Sequence, residues 1–227
     1  MKMKKGTVTF AGAGPGAVDL LTLRARDAIG TADVIVFAGS LVNPEVLQFA
    51  GADVERYDSA GMTLEVIAAI MVEAAREGKR VLRLHTGDPS VYGAIAEQIK
   101  ALKQADVPFE VIPGVTSGFA AAASAGCELT LPGVSQTVIF SRRAGRTPVP
   151  AGEDLPSLAS HQATLALYLS VGDVPGLMND LRAGGYAENT PVVVVYRASW
   201  PDEKVVQGDL ASITDLVAAA DIKRQAI

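Results

Sequence analysis

Three short stretches put glycine beside polar side chains directly after apolar runs: AGAGPGA at residues 11–17, HTGDPSVYG at 85–93 and PGVTSG at 113–118. The first contains Gly12, Gly14 and Ala17 in the spacing G-x-G-x-x-G/A, the pattern that lets a pyrophosphate approach a helix N-terminus in dinucleotide-binding folds. In the second, Thr86, Gly87 and Asp88 bring a hydroxyl, a bare backbone and a carboxylate to one point. In the third, Thr116 and Ser117 can donate to a ligand or cap a helix. A plainer reading of the second is an Asp-Pro turn with Ser90 near the N-cap of the next helix. Three such turns at strand ends suit one polar ligand, because ligands of open α/β sheets bind at the carboxyl edge.

The dinucleotide reading fails on its context. It needs an acidic residue at the end of the second strand, about 20 residues on, to hold the ribose. Here that strand, VIVFAGS, ends in Phe37, Ala38, Gly39 and Ser40, and Asp33 stands at its beginning. Pro15 also removes a backbone donor from the loop that would cradle phosphate. An NAD(P)-dependent oxidoreductase is left as an alternative only. The glycines are then explained by a tight strand-to-helix turn that needs positive φ and lets a ligand come close to backbone. No catalytic triad or metal cluster is spelled out. His85 adjoins the second turn, His161 reads as a surface residue, and Cys127 stands alone.

The elements that would position these turns follow an α/β pattern. With 227 residues, 49% hydrophobic and only 5% aromatic, the chain can bury a sizeable core of parallel strands. Strands are predicted at TVTFAG, DVIVFAG, RVLRLHTG and PFEVIPG. Helices are predicted at LLTLRARDAIGTA with Asp19 as its cap, at TLEVIAAIMVEAAREGKR between Thr63 and Gly78, at SVYGAIAEQIKALKQAD, and at VTSGFAAAASAG. A second β-rich series, SQTVIFSRR, TLALYLSVG, TPVVVVYRAS and KVVQGDL, follows a change of composition near Gly126. This predicts an N-terminal domain over 1–125 and a C-terminal domain over 126–227. The net charge of −5 argues against a nucleic-acid partner. A single cysteine suits a reducing compartment, and the apolar run after MKMKKG is too short for a signal or spanning segment. A soluble, cytoplasmic protein with no membrane partner is the expectation.

GAGPGAVDLLTLRA, TGDPSVYG and PGVTSGFAAAASAG together resemble, in order and spacing, three motifs of the tetrapyrrole (corrin and porphyrin) C-methyltransferases. The resemblance runs over nearly the whole chain. FAGSLVNPEVL, YDSAGMTLEVI and LTLPGVSQTVIFSRRAGRTPVP narrow it to members acting on the corrin ring in cobalamin synthesis. The resemblance implies two consecutive α/β domains with S-adenosyl-L-methionine in the cleft between them and S-adenosyl-L-homocysteine as product. It also implies methyl transfer to C11 of precorrin-4 or its cobalt form, and a homodimer. Another corrin or porphyrin ring carbon is the nearest alternative; ribosomal RNA ribose methylation and a non-catalytic tetrapyrrole carrier are more distant ones.

Carried over position by position, the resemblance implies cofactor contacts from Pro15, Thr86, Gly87, Asp88, Val91, Thr116, Ser117, Leu169, Ala198 and Ala226. Asp88 is read as binding a polar part of the cofactor rather than as a general base, and no catalytic residue is assigned. Relatives continue past IKRQAI into a glycine-containing strand, so the surroundings of Ala226 are expected to be incomplete. An anionic tetrapyrrole fringed with acetates and propionates would need a local basic patch on this acidic chain. Arg142, Arg143 and Arg146 offer guanidinium forks for carboxylates, against the alternative of a solvated basic loop. Ser59 and Gly61 in YDSAGMT are the expected second wall, where small residues let a flat ring approach.

Overall fold

The computed structural model describes residues 3–145 and 147–227, which form two compact units, one ending at Thr116 and the other beginning at Ser117. In the first unit, β1 (Val8–Gly12), α1 (Leu23–Thr31), β2 (Val34–Phe37), β3 (Glu55–Asp58), α2 (Leu64–Arg76), β4 (Val81–His85), α3 (Ile95–Gln104) and β5 (Phe109–Ile112) follow one another. The five strands form one parallel sheet in the order β3-β2-β4-β1-β5. Side chains alternate across it. Ala11, Ile35, Leu82, Leu84 and Ile112 pack on Ala25, Ala28 and Ile29 of α1. Val8, Phe10, Val34, Val36 and Val81 pack on Ile67, Met71 and Leu102 of α2 and α3. Both faces are covered, so the inner strands β1 and β4 are buried along their whole length, as continuous apolar runs predict.

Several local expectations shift. Asp19 does not cap α1; it sits in a short 3-10 turn, and Thr22 caps the helix by accepting from Ala25 N at 3.1 Å. Helix α2 keeps its predicted limits, with Thr63 accepting from Val66 N and Gly78 at φ +79° beyond its end. Helix α3 starts later than predicted, because Tyr92 and Ala94 adopt φ of 55° and 49° and break the run from Ser90. Strand β3 was not predicted: Glu-Arg-Tyr-Asp is largely exposed at the sheet edge and carries no apolar alternation.

The second unit contains α4 (Ser117–Ala125), β6 (Val138–Arg142), α5 (Leu155–Ala159), β7 (Thr164–Tyr168), α6 (Val174–Ala183), β8 (Pro191–Tyr196), β9 (Lys204–Asp209) and α7 (Ile213–Ala219). β6 and β7 pair in parallel, and β8 and β9 antiparallel. Its main core joins Leu155, Leu177, Met178, Leu210, Ile213 and Val217. The composition change near Gly126 and the division after Thr116 differ by the length of α4. That helix goes with the second unit because Ala120 and Ala121 pack on Val195 and Ala198. The segment at residues 225–227 lies along β8: Val195 and Ile227 exchange hydrogen bonds of 2.9 and 3.1 Å, and Arg197 N donates to Gln225 O at 2.8 Å. Ala226 is thereby bridged to Tyr196 and buried.

Candidate functional site

The three glycine turns follow β1, β4 and β5, the three adjacent strands at one side of the sheet, and they meet at its carboxyl edge. Their glycines touch through backbone atoms. A Cβ at Gly12 would collide with the Gly87 carbonyl oxygen and stand 2.6 Å from Gly114 Cα, and a Cβ at Gly114 would strike the same oxygen. Neither residue has a positive φ, so close approach and not backbone conformation demands glycine there. Gly87 N donates to Gly14 O at 2.8 Å, and Ala13 N donates to His85 O at 2.7 Å.

Asp88 completes the assembly. One carboxylate oxygen accepts from Ser90 N at 2.7 Å and the other from Gly114 N at 2.8 Å, tying the third turn to the second. Ser90 therefore contributes its backbone amide to an Asp turn and does not cap α3, whose N-cap position is Ala94 with no side-chain cap. The amides of Ala13, Gly87 and Gly114 are all engaged by protein acceptors, so they form no nest for a phosphate. Asp33 lies at the other end of the sheet. It binds Arg80 at the start of β2, where that guanidinium holds its carboxyl down at about 2.

Around these turns in the first unit stand Pro15, buried in the first loop, exposed Thr86, half-buried Val91 and buried Thr116. Ser59 and Gly61 follow β3 at the same edge. Ser59 Oγ donates to Phe37 O at 3.0 Å, while Gly61 is exposed at φ +84° with open space where a Cβ would lie. Asp58 organises this loop by accepting from Gly39 N and Ala60 N, both at 2.9 Å.

The remaining candidates belong to the second unit. Leu169 directly follows β7, is 75% exposed and has a φ of 54°. Its neighbour Tyr168 accepts from Gly118 N at 3.1 Å, which brings the first turn of α4, beginning at Ser117, to the tip of β7. Ala198 is buried against α4. Of the three arginines, Arg142 and Arg143 are described, and both side chains are engaged within the protein. Arg143 pairs with Asp173 and, at 2.6 Å, with Asp180; these carboxylates raise its pKa and offset its charge, and its amide donates to Ser170 Oγ at 2.8 Å. Arg142 donates to the carbonyls of Thr147 and Pro148, both at 3.0 Å. Arg146 lies outside the described residues.

Arg83 was not singled out in the sequence, and the burial of His85 was not foreseen. Arg83 in β4 is 7% exposed and donates to Ser59 Oγ at 3.0 Å and Gln98 Oε1 at 3.3 Å. His85, two residues on and on the same face, is equally buried; desolvation, with Arg83's charge beside it, lowers its pKa to about 3. The available signal was a charge inside an otherwise apolar inner strand, VLRLH. His161 and Cys127 are exposed, and among the described residues no three of His, Cys, Asp and Glu come together as metal ligands.

A family model of the tetrapyrrole (corrin/porphyrin) methylases matches residues 7–214. The chain is 52% identical over 220 residues to a cobalt-precorrin-4 C(11)-methyltransferase of Methanocaldococcus jannaschii, covering 97% of this chain and 85% of the relative. It is 46% identical over 221 residues to a precorrin-4 C(11)-methyltransferase of Pseudomonas aeruginosa, with 97% and 88% covered. The X-ray structure of a cobalt precorrin-4 methyltransferase superposes with a TM-score of 0.94 at 45% identity, over 97% of this chain and 92% of that one. A Thermus thermophilus uroporphyrin-III C-methyltransferase, solved with S-adenosylhomocysteine, gives 0.81 at 29% identity, over 97% and 90%.

Proposed function

The chain belongs to the tetrapyrrole (corrin/porphyrin) methylases, and on that premise we infer that it is an S-adenosylmethionine-dependent methyltransferase that methylates C11 of precorrin-4 or its cobalt form in cobalamin biosynthesis. The observation that carries the cofactor assignment is the state of the three turns. The amides of Ala13, Gly87 and Gly114, one from each turn, are engaged within the protein and are not offered to a pyrophosphate, whereas a nucleoside without phosphate needs none of them. The relative solved with S-adenosylhomocysteine supports the same choice. The position of methylation rests on the relatives named for C11.

Bound there, S-adenosylmethionine supplies a methyl group on a sulfonium that is already an activated electrophile. The protein's work is alignment, so proximity and orientation dominate the rate. In this reading Pro15, Thr86, Gly87, Val91 and Thr116 of the first unit and Ser117, Leu169, Ala198 and Ala226 of the second contact the cofactor. Asp88 acts mainly by fixing Gly114 against Gly87. Ser59 and Gly61 receive the substrate, with Arg142 and Arg143 as further candidates, Arg143 the weaker because its charge is offset by Asp173 and Asp180. A homodimer is part of the same proposal, and light scattering reads it directly.

Calorimetric titration with S-adenosylhomocysteine, run beside NAD and NADP, tests the reading. Saturable binding of the first alone is expected. Binding of a nicotinamide cofactor instead would overturn it. NMR of the product made from precorrin-4 then reports the carbon methylated, and a methyl group elsewhere than C11 would reassign the substrate position.

A further inference from the structure

The buried guanidinium of Arg83 has no counter-charge. Its neighbours across the sheet are Phe10 on β1 and Val36 on β2. Among the described residues it forms no ion pair; its partners are the neutral Ser59 hydroxyl and Gln98 amide, reached through Nη1 and Nε. Of the five donors of a guanidinium, those on Nη2 meet no protein acceptor, and Nη2 keeps a path to solvent by which a ligand atom could reach it. Burying a charge this way is unfavourable by several kcal/mol unless an opposite charge arrives.

The acceptors that hold it are themselves anchored. Ser59 Oγ donates to Phe37 O at 3.0 Å, and Gln98 Nε2 to Ala94 O at 3.1 Å. The fork is therefore set in place. Beside it, His85 Nε2 is buried and makes no hydrogen bond. The imidazole is neutral, so one ring nitrogen can donate to an acceptor brought into the site. Both residues sit on the last strand turn before the Asp88 loop, at the carboxyl edge where open α/β sheets receive ligands.

We propose that Arg83, preset by Ser59 and Gln98 and flanked by His85, is a carboxylate-binding subsite that takes one acetate or propionate arm of the tetrapyrrole substrate. The assignment rests on the methyltransferase reading for the identity of the ligand. It explains why a central apolar strand carries an uncompensated cation: the missing charge comes with the substrate. A bidentate guanidinium–carboxylate pair on this anchored fork also fixes the ring's orientation, and so selects which ring carbon faces the methyl donor.

Uroporphyrin III, an octacarboxylate, is the probe, with binding read by fluorescence quenching and S-adenosylhomocysteine binding read by calorimetry on the same samples. Arg83→Met keeps length and apolar stem without the charge. It should weaken uroporphyrin binding by roughly tenfold or more, as loss of a charge-assisted pair does. S-adenosylhomocysteine affinity should stay within about twofold, and the melting temperature should hold or rise, because an uncompensated buried charge has gone. Should Arg83→Met not fold, Arg83→Lys, which keeps the charge but loses the fork, must show the same selective weakening. Undiminished uroporphyrin binding in the folded variant overturns the subsite, and so does an equal loss of both ligands, which would make Arg83 a residue of the fold. Wild-type protein that binds S-adenosylhomocysteine but no uroporphyrin also overturns the subsite. Failure to bind S-adenosylhomocysteine, with uroporphyrin binding still dependent on Arg83, would leave the subsite standing and remove the methyltransferase reading.

Discussion

Asp88 holds two turns together with one carboxylate, and a change of one atom exposes that role. Asp88→Asn retains an acceptor for Ser90 N but presents an NH2 where Gly114 N now donates. The cost should be about 1–3 kcal/mol, the range for leaving a donor unmatched, seen as a lower urea midpoint with weaker S-adenosylhomocysteine binding. An unchanged midpoint would refute the tether. His85 and Asp33 make the pH profile of stability readable in two windows. The unfolded imidazole titrates near 6.5 and the folded one near 3. Between these values the unfolded chain binds the extra proton, so stability falls as pH drops from 6.5 toward 3. His85→Leu should flatten the urea-midpoint profile from pH 6.5 to 4. Asp33 acts lower: its folded pKa of about 2 lies below the ordinary 3.8, because Arg80 binds the charged form. Its stabilisation is present above 3.8 and is lost as pH falls toward 2, a loss that Asp33→Asn should abolish.

Helix α4 is anchored at its first turn by the contact of Gly118 with Tyr168, and the aromatic series Phe119–Phe140–Tyr168 continues the contact at centroid distances of 5.6 and 5.8 Å. Helix propensity alone would favour Gly118→Ala by up to about 1 kcal/mol. The new Cβ would collide with the Tyr168 hydroxyl, and overpacking of this kind costs about 1–3 kcal/mol. Destabilisation is therefore expected from denaturant curves. Tyr168→Phe should cost about 1 kcal/mol for the lost acceptor. The double variant should be less destabilised than the two singles added, because removing the hydroxyl makes room for the methyl; strict additivity would sink this account. At this scale, strands β1 and β2 were legible because buried parallel strands read as unbroken apolar runs, and β4 and β5 because a mostly apolar run ends there in a glycine turn. β3 was not, since an exposed edge strand needs no such pattern. The start of α3 was not either, because a positive φ at Tyr92 and Ala94 is imposed by the turn and not by residue type.

Two compact units with separate cores make up the described chain, and none of its helices is long and apolar enough to cross a membrane. A ligand that binds only the folded protein stabilises it by about 2.7 kcal/mol at one hundred times its dissociation constant. S-adenosylhomocysteine at that excess should raise the melting temperature, while NAD at equal concentration should leave it unmoved. The reverse result would restore the dinucleotide reading. The family was legible at this scale, because the motifs GAGPGA, TGDPSVYG and PGVTSG keep their order and spacing along the chain.

The sequence by itself determined the α/β class, the membership in the tetrapyrrole methylases and the three glycine turns, since periodicity and turn chemistry are local properties of consecutive residues. It also counted against a dinucleotide site, because Asp33 stands at the beginning of the second strand. Only the tertiary structure decided what those residues touch. It tied Asp88 to Gly114 of the next turn, and it offset Arg143's charge with Asp173 and Asp180. It also placed Arg83 where neither neighbouring strand supplies a charge. Each of these depends on a partner far away in the chain. Burial, which gives a charge its consequences, is a property of packing that no run of neighbouring residues can encode.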